Sequence, residues 1–326
     1  METVGVGIIG VGGMGAHHAA VLDALAGVSV RAIADPDGPN ASAVSARTGA
    51  RIDTDPFALI VAPDVDAVVV ASPDETHADY TIAAVQHGVP TLCEKPLATS
   101  AEHGWRVVDA ELAAGRRLVQ LGFMREYDPA HRQVRDQLPG LGEIDHVRAF
   151  HRNANRVPRP LDQIVGQSMV HDVHTLRHFT GAEVSWVRAS GSGASGDSFR
   201  HVIALCGLTS GAHATLEFDD GGFAYEVGVE VLARSGDVLT GPPVRPVLRH
   251  RGSTEVRLGT DWFGWFTDAY RIQDEAWIAS IRAGSCVGPS TWDGAAAQVV
   301  VDAIMESLAS GRTVGVVVPD RPALYR

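Results

Sequence analysis

The chain has 326 residues, 45% hydrophobic and 20% charged, which is enough to bury the cores of two domains. Its formal net charge of −12, with no Lys/Arg cluster, argues against nucleic-acid binding, which runs on cationic patches that release counterions. Three scattered cysteines (Cys93, Cys206, Cys286) argue against a disulfide framework or a zinc knuckle, and no apolar run approaches the ~20 residues of a membrane span.

In chain order, VGVGIIG (4–10) reads as a strand. Because it starts at Val4 it leaves no room for a signal peptide, so a cytoplasmic protein without a membrane partner is expected. An Ala-rich helix follows to about Leu25, then VSVRAIAD (28–35) as a strand and a helix near 40–47. DAVVVAS (66–72) leads into a helix from about Glu75 to His87, VPTLCEK (89–95) into a helix over 100–114, and RLVQLGF (117–123) closes the series. Near-continuous apolar strands separated by helices predict a doubly wound parallel sheet in a dinucleotide-binding domain over 1–122.

The character changes over 123–326. A helix is expected over 126–137, a strand near 143–151, a loop holding VPRP (157–160) and a helix near 168–179. Strands follow at 183–190, 200–206, 211–218, 224–232 and 245–258, with GSGASGD (191–197) as a flexible loop and helices near 265–283 and 292–309. This succession predicts an α+β domain with a large, mostly antiparallel open sheet.

Gly10-Val-Gly12-Gly13-Met14-Gly15 gives G-x-G-x-x-G directly after a strand and at the mouth of a helix. Such glycines allow a tight turn, a close approach to pyrophosphate and close helix–strand packing. Asp35 ends the next strand 20 residues beyond Gly15, where a carboxylate accepts the adenosine ribose hydroxyls and repels a 2′-phosphate. NAD is therefore the expected cofactor. Ser72 and Pro73, at the end of a strand, fall at the carboxyl edge where such sheets bind ligands. His77 begins the next helix, and Glu94 and Lys95 end another strand at the same edge, so all three are included in the cofactor site.

Of the 27 basic side chains, Lys95 is the only lysine. Oxidising an alcohol by hydride transfer needs a base for the hydroxyl proton and a cation for the developing alkoxide. A compact ammonium in Glu94-Lys95-Pro96 suits the second role.

The glycine pattern, Asp35, the EKP tripeptide and the second-domain pattern together resemble the glucose–fructose oxidoreductase and inositol 2-dehydrogenase family, from about residue 4 to about 313. Local stretches similar to inositol 2-dehydrogenases are GFMREYD (122–128), FHRN (150–153), SMVHDVH (168–174), AYEVGVEVLARSGDV (224–238), DWFGWFTDAYR (261–271) and GPSTWDG (288–294). The resemblance implies hydride transfer between NAD and a secondary hydroxyl or keto carbon of a cyclitol or sugar, by a dimer or tetramer joined through the open sheet. It makes Lys95 the catalytic lysine and His171 the proton acceptor. His151, Asn153 and Tyr225 become polyol ligands, and Arg125 reaches the same pocket. Keto-sugar or aminocyclitol reduction, tight-NAD sugar oxidoreduction and a non-catalytic NAD-binding regulator are the alternatives.

The chain departs from the family where an aspartate usually lies four residues before the histidine: Gln167 stands there, and His174 replaces a further acid. An amide can orient an imidazole but adds no charge. Asp172, next to His171, points about 100° away on a helix. Gln167, His171, His174 and His178 form a stripe that could hold zinc, but no cysteine or carboxylate joins it by a recognisable spacing. A single catalytic His171 is the simpler account, and no metal is expected.

Overall fold

The apolar runs of the first third pair edge to edge. In the computed structural model, which describes residues 3–154, 159–193, 198–240, 247–250, 253–256 and 262–326, they become β1 (Val4–Ile9), β2 (Val28–Ala34), β3 (Arg51–Asp53), β4 (Ala67–Val70), β5 (Thr91–Cys93) and β6 (Val119–Leu121). All pairs are parallel and the order is β3-β2-β1-β4-β5-β6, so the winding reverses beside β1. Helices α1 (Gly13–Asp23), α2 (Gly38–Thr48), α3 (Pro56–Ile60), α4 (His77–Gln86) and α5 (Ala101–Ala114) make the crossovers. β3 and α3 were not expected. They are too short to show a period, although Asp55 caps α3 by accepting the Phe57 N–H, with Pro56 behind it.

This sheet belongs to a compact unit of Met1–Met124, Tyr270–Gln298 and Pro319–Arg326. Its core contains Val6, Ile8, Val30, Ile33, Val69 and Leu92, joined from the later segment by Trp277 and Ile278. Fully buried Glu111 anchors the same unit. Its Oε1 accepts the Leu118 and Val119 N–H groups at 2.6 and 2.8 Å. Its Oε2 accepts the Thr291 and Tyr325 hydroxyls at 2.6 and 3.0 Å.

The second unit comprises Arg125–Ala269 and Val299–Val318. A 3-10 turn, Met124–Tyr127, precedes α6 (Pro129–Leu141), which starts later than the expected 126 because Asp128 caps it. The main strands are β7 (Ile144–Arg152), β9 (Val184–Ser192), β11 (His201–Leu208), β12 (His213–Asp219), β13 (Glu226–Ala233), β14 (Gly236–Leu239) and β17 (Val314–Gly315), after a small pair of β8 (Arg159–Pro160) with β10 (Ser198–Phe199). They form one sheet, β14-β13-β7-β12-β11-β9-β17, antiparallel except for β7 with β12. The mostly antiparallel sheet expected from the strand run is therefore present.

The single strand expected over 245–258 is instead a ladder of β15 (Val247–His250) with β16 (Ser253–Val256). Its remaining residues, most of GSGASGD, the start of VPRP and Asp261 of DWFGWFTDAYR lie outside the described residues. α7 (Val170–Thr180) continues a π-helical stretch, Gln163–Met169, and ends at Gly181. The last helices are α8 (Trp262–Ala283), bent at Phe266, and α9 (Thr291–Ser310). Among the described residues no helix is long and apolar enough to cross a membrane.

Candidate active site

At the carboxyl edge of the parallel sheet, the ends of adjacent strands bring together the segments expected to bind the cofactor. Gly10 has φ +83°, and a Cβ on it would lie 2.5 Å from the Ser72 Cα, so the turns after β1 and β4 touch backbone to backbone. A Cβ on Gly15 would lie 1.8 Å from the Gly10 carbonyl oxygen, which only glycine avoids. Gly12 and Gly13 are exposed, and a Cβ on either would meet no described atom within 4 Å. Gly12 provides no side-chain cap for α1, and Met14 beside it is half-buried. This cradle fits a pyrophosphate.

Asp35 is half-buried at the end of β2. Its carboxylate accepts the Val11 N–H at 2.6 Å and the Asp37 N–H at 2.7 Å, which fixes it beside the glycine turn. Ser72 and Pro73 follow β4, with the Ser72 and Thr76 hydroxyls 2.6 Å apart. His77 is buried, and its ring nitrogens lie against the carbonyl oxygens of Pro96 (2.7 Å) and Ser72 (2.8 Å). It therefore braces the two loops that flank the cofactor edge.

Half-buried Lys95 follows β5, and its N–H donates to Glu94 Oε2 at 3.1 Å. Behind it runs a buried chain of charges. Glu94 Oε1 lies 3.0 Å from His18 Nε2, and Asp274 Oδ2 lies 2.9 Å from His18 Nδ1. Burial works to lower the His18 pKa, but the charge and hydrogen bond of Asp274, and then those of Glu94, raise it to about 10. Burial pushes Glu94 upward, but the hydrogen bond and charge of His18 outweigh it and hold the carboxyl below its usual range. His18 is thus an imidazolium clamped between two carboxylates, and it fixes the residue next to Lys95.

In the second unit, Arg125, His151, His171 and Tyr225 are all buried. Arg125 pairs with Asp172 Oδ1, and its Nη2 lies 3.2 Å from His151 Nδ1. Asp172 Oδ2 lies 3.6 Å from the same nitrogen. Burial lowers the His151 pKa against the opposing pull of Asp172, so the ring is neutral and Nδ1 accepts from Arg125. Burial acts to raise the Asp172 pKa, but the Arg125 charge outweighs it and holds the carboxyl below its ordinary value. The Tyr225 and Phe218 rings meet His151 edge-on at centroid distances of 5.6 and 5.0 Å.

Asn153, just after β7, donates to Asp220 Oδ1 at 3.2 Å, and Arg159 grips both oxygens of the same carboxylate. His171 lies in the first turn of α7. Gln167 lies in the π-helical stretch, one wide turn before His171, so the strict α-helical spacing assumed between them does not apply.

Several members of these clusters were not singled out in the sequence. Asp172 was read only as the neighbour of His171 on the helix, and its engagement by Arg125 and His151 was not foreseen. Asp220, His18 and Asp274 were also missed. The available hint for His18 was a polar residue on the buried, Ala-rich side of α1. Glu126, whose Oε1 contacts His174 Nε2 at 2.7 Å and His178 Nδ1 at 3.0 Å, was quoted only as part of GFMREYD.

Residues 4–123 match the family described as an oxidoreductase family with an NAD-binding Rossmann fold. The chain is 38% identical to inositol 2-dehydrogenase 2 of Saccharopolyspora erythraea, over 99% of this chain and 98% of that one. It is 36% identical to the inositol 2-dehydrogenase of Rubrobacter xylanophilus, over 100% and 96%. Among solved structures it resembles the myo-inositol dehydrogenase of Lactobacillus casei in complex with NAD(H) and myo-inositol, at 27% identity and a TM-score of 0.95, covering 99% and 100% of the two chains.

Proposed function

For a chain that belongs to the glucose–fructose oxidoreductase and inositol 2-dehydrogenase family, we propose NAD-dependent oxidation of a secondary hydroxyl on an inositol or closely related cyclitol. The alcohol loses a hydride from carbon and a proton from oxygen. NAD, when bound, supplies the hydride acceptor. The glycine turn would hold its pyrophosphate and Asp35 its adenosine ribose, with Ser72, Pro73 and Glu94 lining the same edge. Lys95 carries the reading: it follows β5 at the carboxyl edge, two places from β1 in the sheet order. There it would steady the developing alkoxide while His171 takes the proton. Arg125, His151, Asn153, Gln167 and Tyr225 would bind the ring hydroxyls.

Assays with a panel of inositols, aldoses and aminocyclitols test this. Reduced cofactor should form with an inositol and NAD, and far more slowly with NADP. Lys95→Ala and Lys95→Arg should each lower kcat by about 100-fold or more. Undiminished turnover in both variants would remove Lys95 from the chemistry.

We further place the enzyme in the reducing cytoplasm, which suits its free Cys93, Cys206 and Cys286, as a homo-oligomer, most simply a tetramer. The large sheet supports association. Along β11, Val202, Ala204 and Cys206 are buried while Ile203 and Leu205 stay 39% and 40% exposed on the other face, as does Leu232 on β13 at 43%.

A further inference from the structure

We propose that Glu126, His174 and His178 form a binding site for one divalent transition-metal ion of the zinc class. The two histidines are four residues apart on α7, the helical spacing at which a pair of imidazoles can share an ion. Their rings stack at an interplanar angle of 26°, with centroids 5.9 Å apart. Glu126, from the Met124–Tyr127 turn, supplies the carboxylate that the stripe lacked by sequence spacing. Its Oε1 is 2.7 Å from His174 Nε2 and 3.0 Å from His178 Nδ1, and the three ligand atoms all lie within 4.8 Å of one another. The side chains are only 16%, 3% and 15% exposed.

Ligands at ~2.0–2.1 Å from a tetrahedral ion stand about 3.3 Å apart. The N–O separations of 2.7 and 3.0 Å would open by about 0.6 and 0.3 Å, and the two nitrogens, within 4.8 Å of each other, would settle to the same spacing. Two imidazoles and one carboxylate suit zinc, cobalt or nickel better than the oxygen-seeking magnesium or calcium. Three protein ligands leave a fourth position for water or an incoming hydroxyl. The ion would also tie the turn carrying Arg125 to the helix carrying His171 and Asp172. The competing description is a metal-free ion pair, in which both rings donate N–H groups to one oxygen.

The test uses tag-free, chelator-stripped full-length protein and Co2+ as a spectroscopic probe. One equivalent of Co2+ should develop a visible d–d band that one equivalent of Zn2+ abolishes. Glu126→Gln and His178→Ala, checked for fold by circular dichroism, should each weaken binding by more than about 100-fold, since even outer partners of a ligand account for 10- to 100-fold. X-ray absorption at the zinc edge of the unmutated protein should find two imidazoles in the inner shell, and this holds whether or not the variants fold. No Co2+ band in the wild type, equal affinity in the folded variants, or fewer than two imidazoles around bound zinc would each overturn the site and leave the ion pair. None of these measurements depends on turnover.

Discussion

Gln167 is where single-residue chemistry departs furthest from the family resemblance. An acid near His171 would stabilise the imidazolium formed as the hydroxyl proton is taken, whereas an amide can only hold the ring in place. Gln167→Asp is therefore expected to raise inositol oxidation, by up to about tenfold if the added charge moves the imidazole by one pKa unit. Steady-state rates against inositol decide this, and an unchanged or slower variant would discredit the electrostatic reasoning. Other site residues were readable because their evidence is local: a glycine spacing, an acid 20 residues on, one lysine in a chain of arginines. Asp172 and Glu126 were not readable as cluster members. Their partners Arg125 and His174 lie 47 and 48 residues away in sequence, and no short window contains both members of either pair.

α1 shows how one element can carry both a binding surface and a titrating core. Its mouth carries the exposed Gly12 and Gly13, while His18, one turn further in, is fully buried between Glu94 and Asp274. Because the folded pKa of about 10 exceeds the ordinary 6.5, folding binds a proton here. The stabilisation is complete below pH 6.5, declines as pH rises, and is lost above about 10. The unfolding temperature should fall over that interval, and His18→Gln, which cannot titrate, should show a lower value at pH 7 and a flatter slope. Matching slopes in the two proteins would mean that His18 is not the group responsible. Periodicity revealed the long elements well. It failed for β3 and α3, which are too short to repeat their period twice, and for the π-helical stretch, whose i→i+5 bonding does not register against a 3.6-residue template.

For the molecule as a whole, the exposed Ile203 and Leu205 lead to an expectation about assembly. Light scattering coupled to size exclusion should report a dimer or tetramer, and Ile203→Glu with Leu205→Glu should shift it towards monomer by placing charges in an apolar contact. A wild-type monomer at micromolar concentration would refute the oligomer. The alternation of these strands was legible; the composition of the compact units was not, because nothing local in Tyr270–Gln298 or Pro319–Arg326 announces that they pack with the opening residues.

Glu111 draws out what that arrangement demands. Two of its partners, Leu118 and Val119, are synthesised moments after it, but Thr291 and Tyr325 emerge only once the intervening chain has been made. A nascent polypeptide halted before residue 291 therefore carries this carboxylate half-satisfied. The dinucleotide-binding half, although it starts first, is among the last parts of the polypeptide to close.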